Sequence, residues 1–199
     1  MTSEGQKRLD LTDPKAMRAL AHPLRMTLLE LLKVHGTLTA TQASELLGES
    51  PANCAFHLRT LAKYGFAEEA GGGKGRERPW RSVPVSIIVE PENIDDPQAK
   101  IAAEALSRAW EDRWMERARK SLAASYNLPS PWNGSAHASQ RINFLTPEEM
   151  SELIGEVTAV VDRYRDDRRL DDRPEGSMPV ELLFFGYPLM EFGDDSDQR

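Results

Sequence analysis

Five side chains within one short stretch, Asn53, Phe56, Arg59, Thr60 and Lys63, have the types and the spacing to read a nucleic acid. They lie between Ser50 and Lys63, in the run Ser-Pro-Ala-Asn-Cys-Ala-Phe-His-Leu-Arg-Thr-Leu-Ala-Lys. At about 100° per helical residue they share one face with Ala52, while Cys54, Leu58 and Leu61 form the opposite stripe. An amide, a guanidinium, a hydroxyl and an aromatic ring on one face suit base edges in a DNA major groove, and the lysine suits a phosphate. His57 falls at the border of the apolar stripe, where packing or a single phosphate contact fits it better than base readout. Thr41 and Ser50, close by in sequence, complete this set of candidate contacts. A solvated helix face is the plain alternative, and only the flanking sequence decides against it. A second group, Lys74, Arg76, Arg78 and Arg81, could reach phosphates or an adjacent minor groove, or be ordinary charge on a solvated loop.

Other chemistry finds little support. Cys54 is the only cysteine, so no disulfide within the chain and no Cys-x-x-Cys metal motif exists. Its place on the apolar stripe makes it a small hydrophobe before it makes it a redox sensor. His22, His35 and His137 are isolated along the chain, with no carboxylate or histidine at ligand spacing, so no metal site is expected. The run Gly71-Gly72-Gly73-Lys74-Gly75 is no phosphate-cradling loop, because Lys74 is followed by glycine instead of Ser or Thr. No Ser/His/Asp grouping has a nucleophile context, and Asp171-Asp172 belongs to a charged run. Neither an enzyme nor a cofactor is expected. Trp110, Trp114 and Trp132 could wall a pocket for a small organic effector, although dimer or domain core is the stronger reading.

The elements that must hold these residues can be placed in order. Residues 1–12 read as a flexible tail. Asp13-Pro14 opens a short helix through Ala16, Met17, Ala19 and Leu20, and Pro23 opens the next, with Leu24, Leu28, Leu31 and Leu32 inward and a stop at His35-Gly36. Thr39 and Gln42 have capping-box spacing before a short helix that carries Ala43, Leu46 and Leu47 inward and ends at Gly48. Ser50 caps the following helix, and Pro51 suits its first turn. Two short helices joined by so tight a glycine-containing turn form a helix-turn-helix, with the second as recognition helix. Residues 66–70 and 76–83 read as two strands around the glycine-rich tip, a hairpin placed as a wing.

Beyond residue 84 the pattern changes. An apolar strand at Val85 to Val89 and a linker lead to a long helix from Pro97 to about Tyr126, roughly 45 Å at 1.5 Å per residue. Its stripe of Leu106, Trp110, Trp114 and Leu122 is expected to bury against a second copy. In the remainder, Arg141 to Leu145 reads as a strand, Thr146 to Glu149 as a capping box, and Met150 to Tyr164 as an amphipathic helix. Val180 to Phe185 then reads as a second strand, with a right-handed crossover if the two are parallel and adjacent. Asp162 to Arg173 is a solvated charged run, and residues 190–199 are a flexible acidic tail. The expected fold is therefore α+β and mainly helical: a winged helix-turn-helix domain (13–90), a linker and dimerisation helix (91–127) and a small strand-helix-strand unit (128–189).

Composition bounds what such a chain can bind. The 199 residues are 40% hydrophobic, enough for a core. No apolar run approaches the roughly 18 residues of a membrane span, and the N-terminus lacks a signal-like stretch, so a cytoplasmic protein with no membrane partner is expected. The formal charge is −7, but it is unevenly spread: residues 1–90 hold 12 Lys and Arg against 10 Asp and Glu, and residues 91–199 hold 13 against 22. A weakly basic first half with clustered cations can still bind phosphate.

Several linked motifs together resemble the ArsR-type winged-helix transcriptional regulators. They are Ala19-Leu20-Ala21-His22-Pro23-Leu24-Arg25, Leu28-Leu29-Glu30-Leu31-Leu32, Ala43-Ser44-Glu45-Leu46-Leu47-Gly48, His57-Leu58-Arg59-x-Leu61 and Arg76-Glu77-Arg78-x-Trp80. The resemblance covers roughly residues 13–83 and implies a dimeric, repressor-like protein of bacterial gene control, binding double-stranded DNA. The chain departs from the metal-sensing members, having neither a Cys-x-Cys on the third helix nor a His/Asp set on a terminal helix. Metal sensing therefore does not carry over. A homodimer on an inverted-repeat operator is one reading; the other is a winged-helix interaction module whose acidic C-terminal half docks a protein partner.

Overall fold

The computed structural model describes residues 7–73, 78–83, 85–89, 94–164 and 173–189, apart from the side chains of 7–10 and 85–88. The chain forms two compact units, Met1–Ala124 and Ser125–Arg199. It is mainly helical, with a small three-stranded antiparallel sheet.

In the first unit, local capping chemistry sets where each helix begins. Asp13 caps α1 (Pro14–Leu20), its carboxylate accepting the Lys15 N–H at 2.9 Å. His22 caps α2 (Pro23–His35), its Nδ1 accepting the Leu24 N–H at 3.2 Å. Thr39 and Gln42 make a reciprocal box at the head of α3 (Ala40–Leu47), which ends at Gly48 in the left-handed region, φ 69°. Ser50 accepts the Asn53 N–H at 3.1 Å and starts α4 (Pro51–Lys63). Only Gly48 and Glu49 separate the end of α3 from that cap. The left-handed turn at Gly48 is what lets two helices meet so closely without strain.

The wing hairpin forms as its pattern requires. Strands β3 (Ala67–Glu69) and β4 (Trp80–Ser82) pair antiparallel, with Glu68 opposite Arg81 and Glu69 opposite Trp80. A two-residue strand, β2 (Thr37–Leu38), adds to the other edge of β4, a pairing too short to read from the sequence. The N-terminal segment is not a frayed tail throughout, because β1 (Lys7–Asp10) pairs in parallel with β5 (Val85–Ile88) and Leu11 is buried. Parallel partners so distant in sequence leave no local signal.

A single core joins α1, α2, α3, α4, the sheet and the first turns of α5 (Pro97–Ser125), with Met17, Leu20, Leu28, Leu32, Leu58, Leu61 and Phe66 fully enclosed. Three expectations about facing are corrected. Met26 and Leu29 are buried on α2, whereas Leu24 and Leu31 are only half-buried. Leu46 points outward, 52% exposed, and Ser44 is buried in α3, its Oγ donating to the Thr41 carbonyl. Leu106, expected against a second copy, is enclosed by its own chain: with Ala99, Ala102 and Ala103 it forms the stripe of α5 that packs into this chain's core. Farther along, Glu30 of α2 receives Arg113 at 2.9 and 3.1 Å through Nε, and Arg117 at 2.9 Å through Nη1. Burial alone would raise the Glu30 carboxyl, but the hydrogen bonds and charges of Arg113 and Arg117 outweigh it and hold the carboxyl below its ordinary range.

In the second unit, Thr146 and Glu149 make a capping box and start α6 (Pro147–Asp162) as expected, but no residue of α6 is buried. The strands expected over 141–145 and 180–185 do not form, and with them goes the crossover. Their alternating apolar pattern has no strand neighbour within the described chain, and an extended segment becomes a strand only when another edge takes its N–H and C=O groups. Trp132 donates its indole N–H to the Gly176 carbonyl at 3.0 Å. Residues 165–172 of the charged run and the tail 190–199 lie outside the described residues. Among the described residues, no helix is long and apolar enough to cross a membrane.

Candidate nucleic-acid interface

Helix α4 is held from behind by Cys54, Leu58 and Leu61, all with no exposed surface, so its opposite face is fixed outward. On that face Ala52, Phe56, Arg59 and Lys63 are exposed, and Asn53 and Thr60 are partly covered. The exposed Arg59 guanidinium has no hydrogen-bond or ion-pair partner among the described residues. Thr60 donates its hydroxyl to the Phe56 carbonyl at 2.9 Å, which leaves its oxygen free to accept. The Lys63 ammonium lies 5.4 Å from the Tyr64 ring centre. Asn53 is engaged: its Nδ2 donates to Glu49 Oε2 at 2.9 Å, four residues back and just ahead of the helix cap. Thr41 and Ser50 are exposed, Ser50 serving as the cap of α4.

His57 faces inward. It is buried, its Nδ1 stands 3.2 Å from Arg25 Nη1, and its ring lies 4.5 Å from that of His22 and 5.2 Å from that of Phe56. Because a guanidinium only donates, Nδ1 of His57 is the acceptor, and the imidazole is neutral with its proton on Nε2. Arg25 also donates through Nε to the Ala19 carbonyl, tying α1, α2 and α4 together at one point. Both imidazoles titrate below their ordinary range, first through burial, then through the Arg25 charge for His22 and through His22 and Arg25 for His57. His22 is thus not isolated, as its place in the sequence suggests; α2 and α4 bring two histidines from distant positions into contact. A shallow cleft lined by His22, Leu24, Thr27, Glu49, Asn53 and His57 opens beside them. The Cys54 thiol is pushed up by burial and then by Glu49, which disfavours the reactive thiolate.

The wing cations that the structure describes are not free. Arg78 pairs with both oxygens of Glu69 at 2.8 and 2.9 Å, and Arg81 Nε pairs with Glu68 at 2.7 Å. All four side chains are exposed, so these ion pairs are weak and a phosphate can displace them. The sequence held a signal for the second pair, since Glu68 and Arg81 fall opposite each other once the hairpin is in register. Lys74 and Arg76 lie outside the described residues. On α5, Trp110 and Trp114 stack at 5.9 Å between ring centres, both half-buried, and Leu122 is 39% exposed. Among the described residues, no group of three or more His, Cys, Asp or Glu side chains could hold a metal ion.

Residues 20–70 match the model of a family described as a helix-turn-helix domain. No curated protein matches the chain. Among solved structures, reduced HlyU from Vibrio cholerae is similar at 16% identity over 48% of this chain and 86% of that one, with a TM-score of 0.29. A transcriptional regulator homologue from Pyrococcus horikoshii is similar at 16% identity over 51% and 92%, with a TM-score of 0.30. A MepR mutant of S. aureus bound to an oligodeoxyribonucleotide is similar at 13% identity over 76% and 88%, with a TM-score of 0.30. The matched segment ends at Ala70, one residue past β3, so it holds all of α3 and α4, and the hairpin of β3 and β4 makes the unit a winged helix-turn-helix.

Proposed function

We propose that this chain is a sequence-specific DNA-binding transcriptional regulator of the ArsR type, acting in the cytoplasm as a homodimer on an inverted repeat. The observation that carries the reading is the outward face of α4, where Arg59, Phe56 and Lys63 stand exposed on a helix anchored by a fully buried stripe. In this reading α4 enters the major groove, Asn53 and Arg59 contact bases, Lys63 and the wing cations contact phosphates, and α5 brings two copies together. Two recognition helices related by a two-fold axis meet half-sites about one helical turn apart, roughly 34 Å. Chemistry is not part of this role, and a small organic effector would act by shifting the dimer. Mobility shifts on genomic fragments flanking the chain's own gene test it. A saturable shift that unlabelled flanking fragment competes and scrambled fragment does not is the expected result.

A second reading, a protein-interaction module on a winged-helix scaffold, draws on the wing itself, where Glu68 and Glu69 neutralise Arg81 and Arg78. Absence of any shift on every fragment, at low salt, would favour it.

A further inference from the structure

Fifteen of the twenty large apolar side chains exposed in the described chain belong to the unit Ser125–Arg199. They are not scattered. On α6 the apolar positions, among them Leu153, Ile154 and Val160, share one face, and Glu148, Glu149, Glu152 and Glu156 share the opposite one. Two segments without regular secondary structure, 141–145 and 178–187, add Phe144, fully exposed, and Phe184, 62% exposed, at alternating positions with no strand beside them among the described residues. Gly186 lies so close to α6 that an added Cβ would meet the Met150 side chain, so the segment 178–187 meets the first turns of the helix at that point.

At the roughly 150–250 Å² that an aromatic side chain can bury, and somewhat less for an aliphatic one, these partial exposures amount to on the order of 1,500 Å² of apolar surface. Monomeric proteins rarely expose patches beyond roughly 300–600 Å². Even half of it, roughly 750 Å², equals the share of about 800 Å² per partner in a stable interface. A surface of this size cannot wait in water for an occasional visitor; its occupant must be present whenever the chain is. A second copy meets that condition and also brings matching copies of the segments 141–145 and 178–187, which a two-fold axis can pair reciprocally. The acidic face of α6 points away from the apolar one, so like charges do not oppose the approach.

We infer that the unit Ser125–Arg199 is an interface between two copies of this chain, in which the α6 face and the segments 141–145 and 178–187 find their core and strand neighbours in the second copy. This interface is separate from the one assigned to α5. It requires self-association but not DNA binding, so the two readings can fail independently.

Hydrogen exchange on the full-length protein, over a concentration series spanning its dimer dissociation constant, is the test. Amides of 141–145 and 180–185 should exchange slowly when dimeric and at least tenfold faster on dilution. Phe144→Asp, at a position with nothing packed on it, should raise the dissociation constant at least tenfold in sedimentation equilibrium and leave the helical circular dichroism unchanged. Protection that does not change with concentration means the chain covers the surface itself, and fast exchange at every concentration means nothing in the purified protein covers it. Either result overturns the inference. If Phe144→Asp dimerises as tightly as the parent, with operator binding intact, α5 alone holds the dimer and only this inference falls.

Discussion

Replacing Arg59 with alanine should separate reading from folding. The guanidinium is exposed on the outer face of α4, while the opposite stripe of Cys54, Leu58 and Leu61 stays enclosed, so Arg59→Ala leaves the core untouched. Surface changes of this kind alter stability by no more than about 0.5 kcal/mol. A bidentate arginine–guanine contact is worth about 1–3 kcal/mol, so each half-site should lose about 5- to 150-fold, and a two-fold operator the product of two such losses. Asn53 adds a second, opposite-signed test. Its amide must leave Glu49 Oε2, at 2.9 Å, before it can meet adenine. An exposed hydrogen bond of this kind is worth about 0.5–1.5 kcal/mol net. Glu49→Ala should therefore tighten operator binding about 2- to 10-fold, partly because a negative charge leaves the interface. Anisotropy titrations on operator and scrambled duplexes over a salt series read both effects. Arg59→Ala should fall on operator alone with the salt slope little changed, whereas Lys63→Ala should weaken both duplexes alike and reduce the slope by about one unit. Equal loss on both duplexes for Arg59→Ala, or weaker operator binding by Glu49→Ala, would refute this division of roles.

Four further outcomes are expected. Leu58→Ala, at a position with no exposed surface, should cost about 2.7–5 kcal/mol in urea unfolding and abolish DNA binding at 37 °C; a loss under 1 kcal/mol would mean α4 is not anchored through that stripe. His22 and His57 bind protons more weakly folded than unfolded, so stability should be complete above pH of about 6.5 and decline as the pH falls toward 5.5, still above the range where Glu30 protonates; a flat urea midpoint between pH 7.5 and 5.5 would contradict the neutral imidazole pair. The double change Trp114→Glu with Leu122→Glu should loosen the α5 contact and weaken operator binding more than it weakens folding, because neither residue is buried in a single chain; unchanged affinity for the operator places the DNA-competent interface elsewhere. Zinc should leave operator affinity unchanged, since the one thiol is fully buried; a tight stoichiometric site that releases DNA would show otherwise.

Much of the helical framework was legible from the chain because its information is local. Asp13, Thr39 with Gln42, Ser50, and Thr146 with Glu149 each satisfy N–H groups within three residues of themselves, so the starts of α1, α3, α4 and α6 follow from neighbours alone. The stripe of Cys54, Leu58 and Leu61 and the outward set around Arg59 follow from the helical period, which makes one face buried and the other presented whatever the rest of the fold does. What only tertiary structure decided depends on which distant segments meet. The contact of His22 with His57 across Arg25, the parallel pairing of Lys7–Asp10 with Val85–Ile88, and the hold of Arg113 and Arg117 on Glu30 bridge separations at which no pattern in the sequence selects a partner. Leu106 shows the same limit on a single helix: an apolar stripe records that it must be buried, but whether its cover is the chain's own core or another molecule is set by what the fold brings against it. The period-2 runs at 141–145 and 180–185 record an appetite for strand pairing in the same way, and backbone hydrogen bonds are made only where a second edge is in reach.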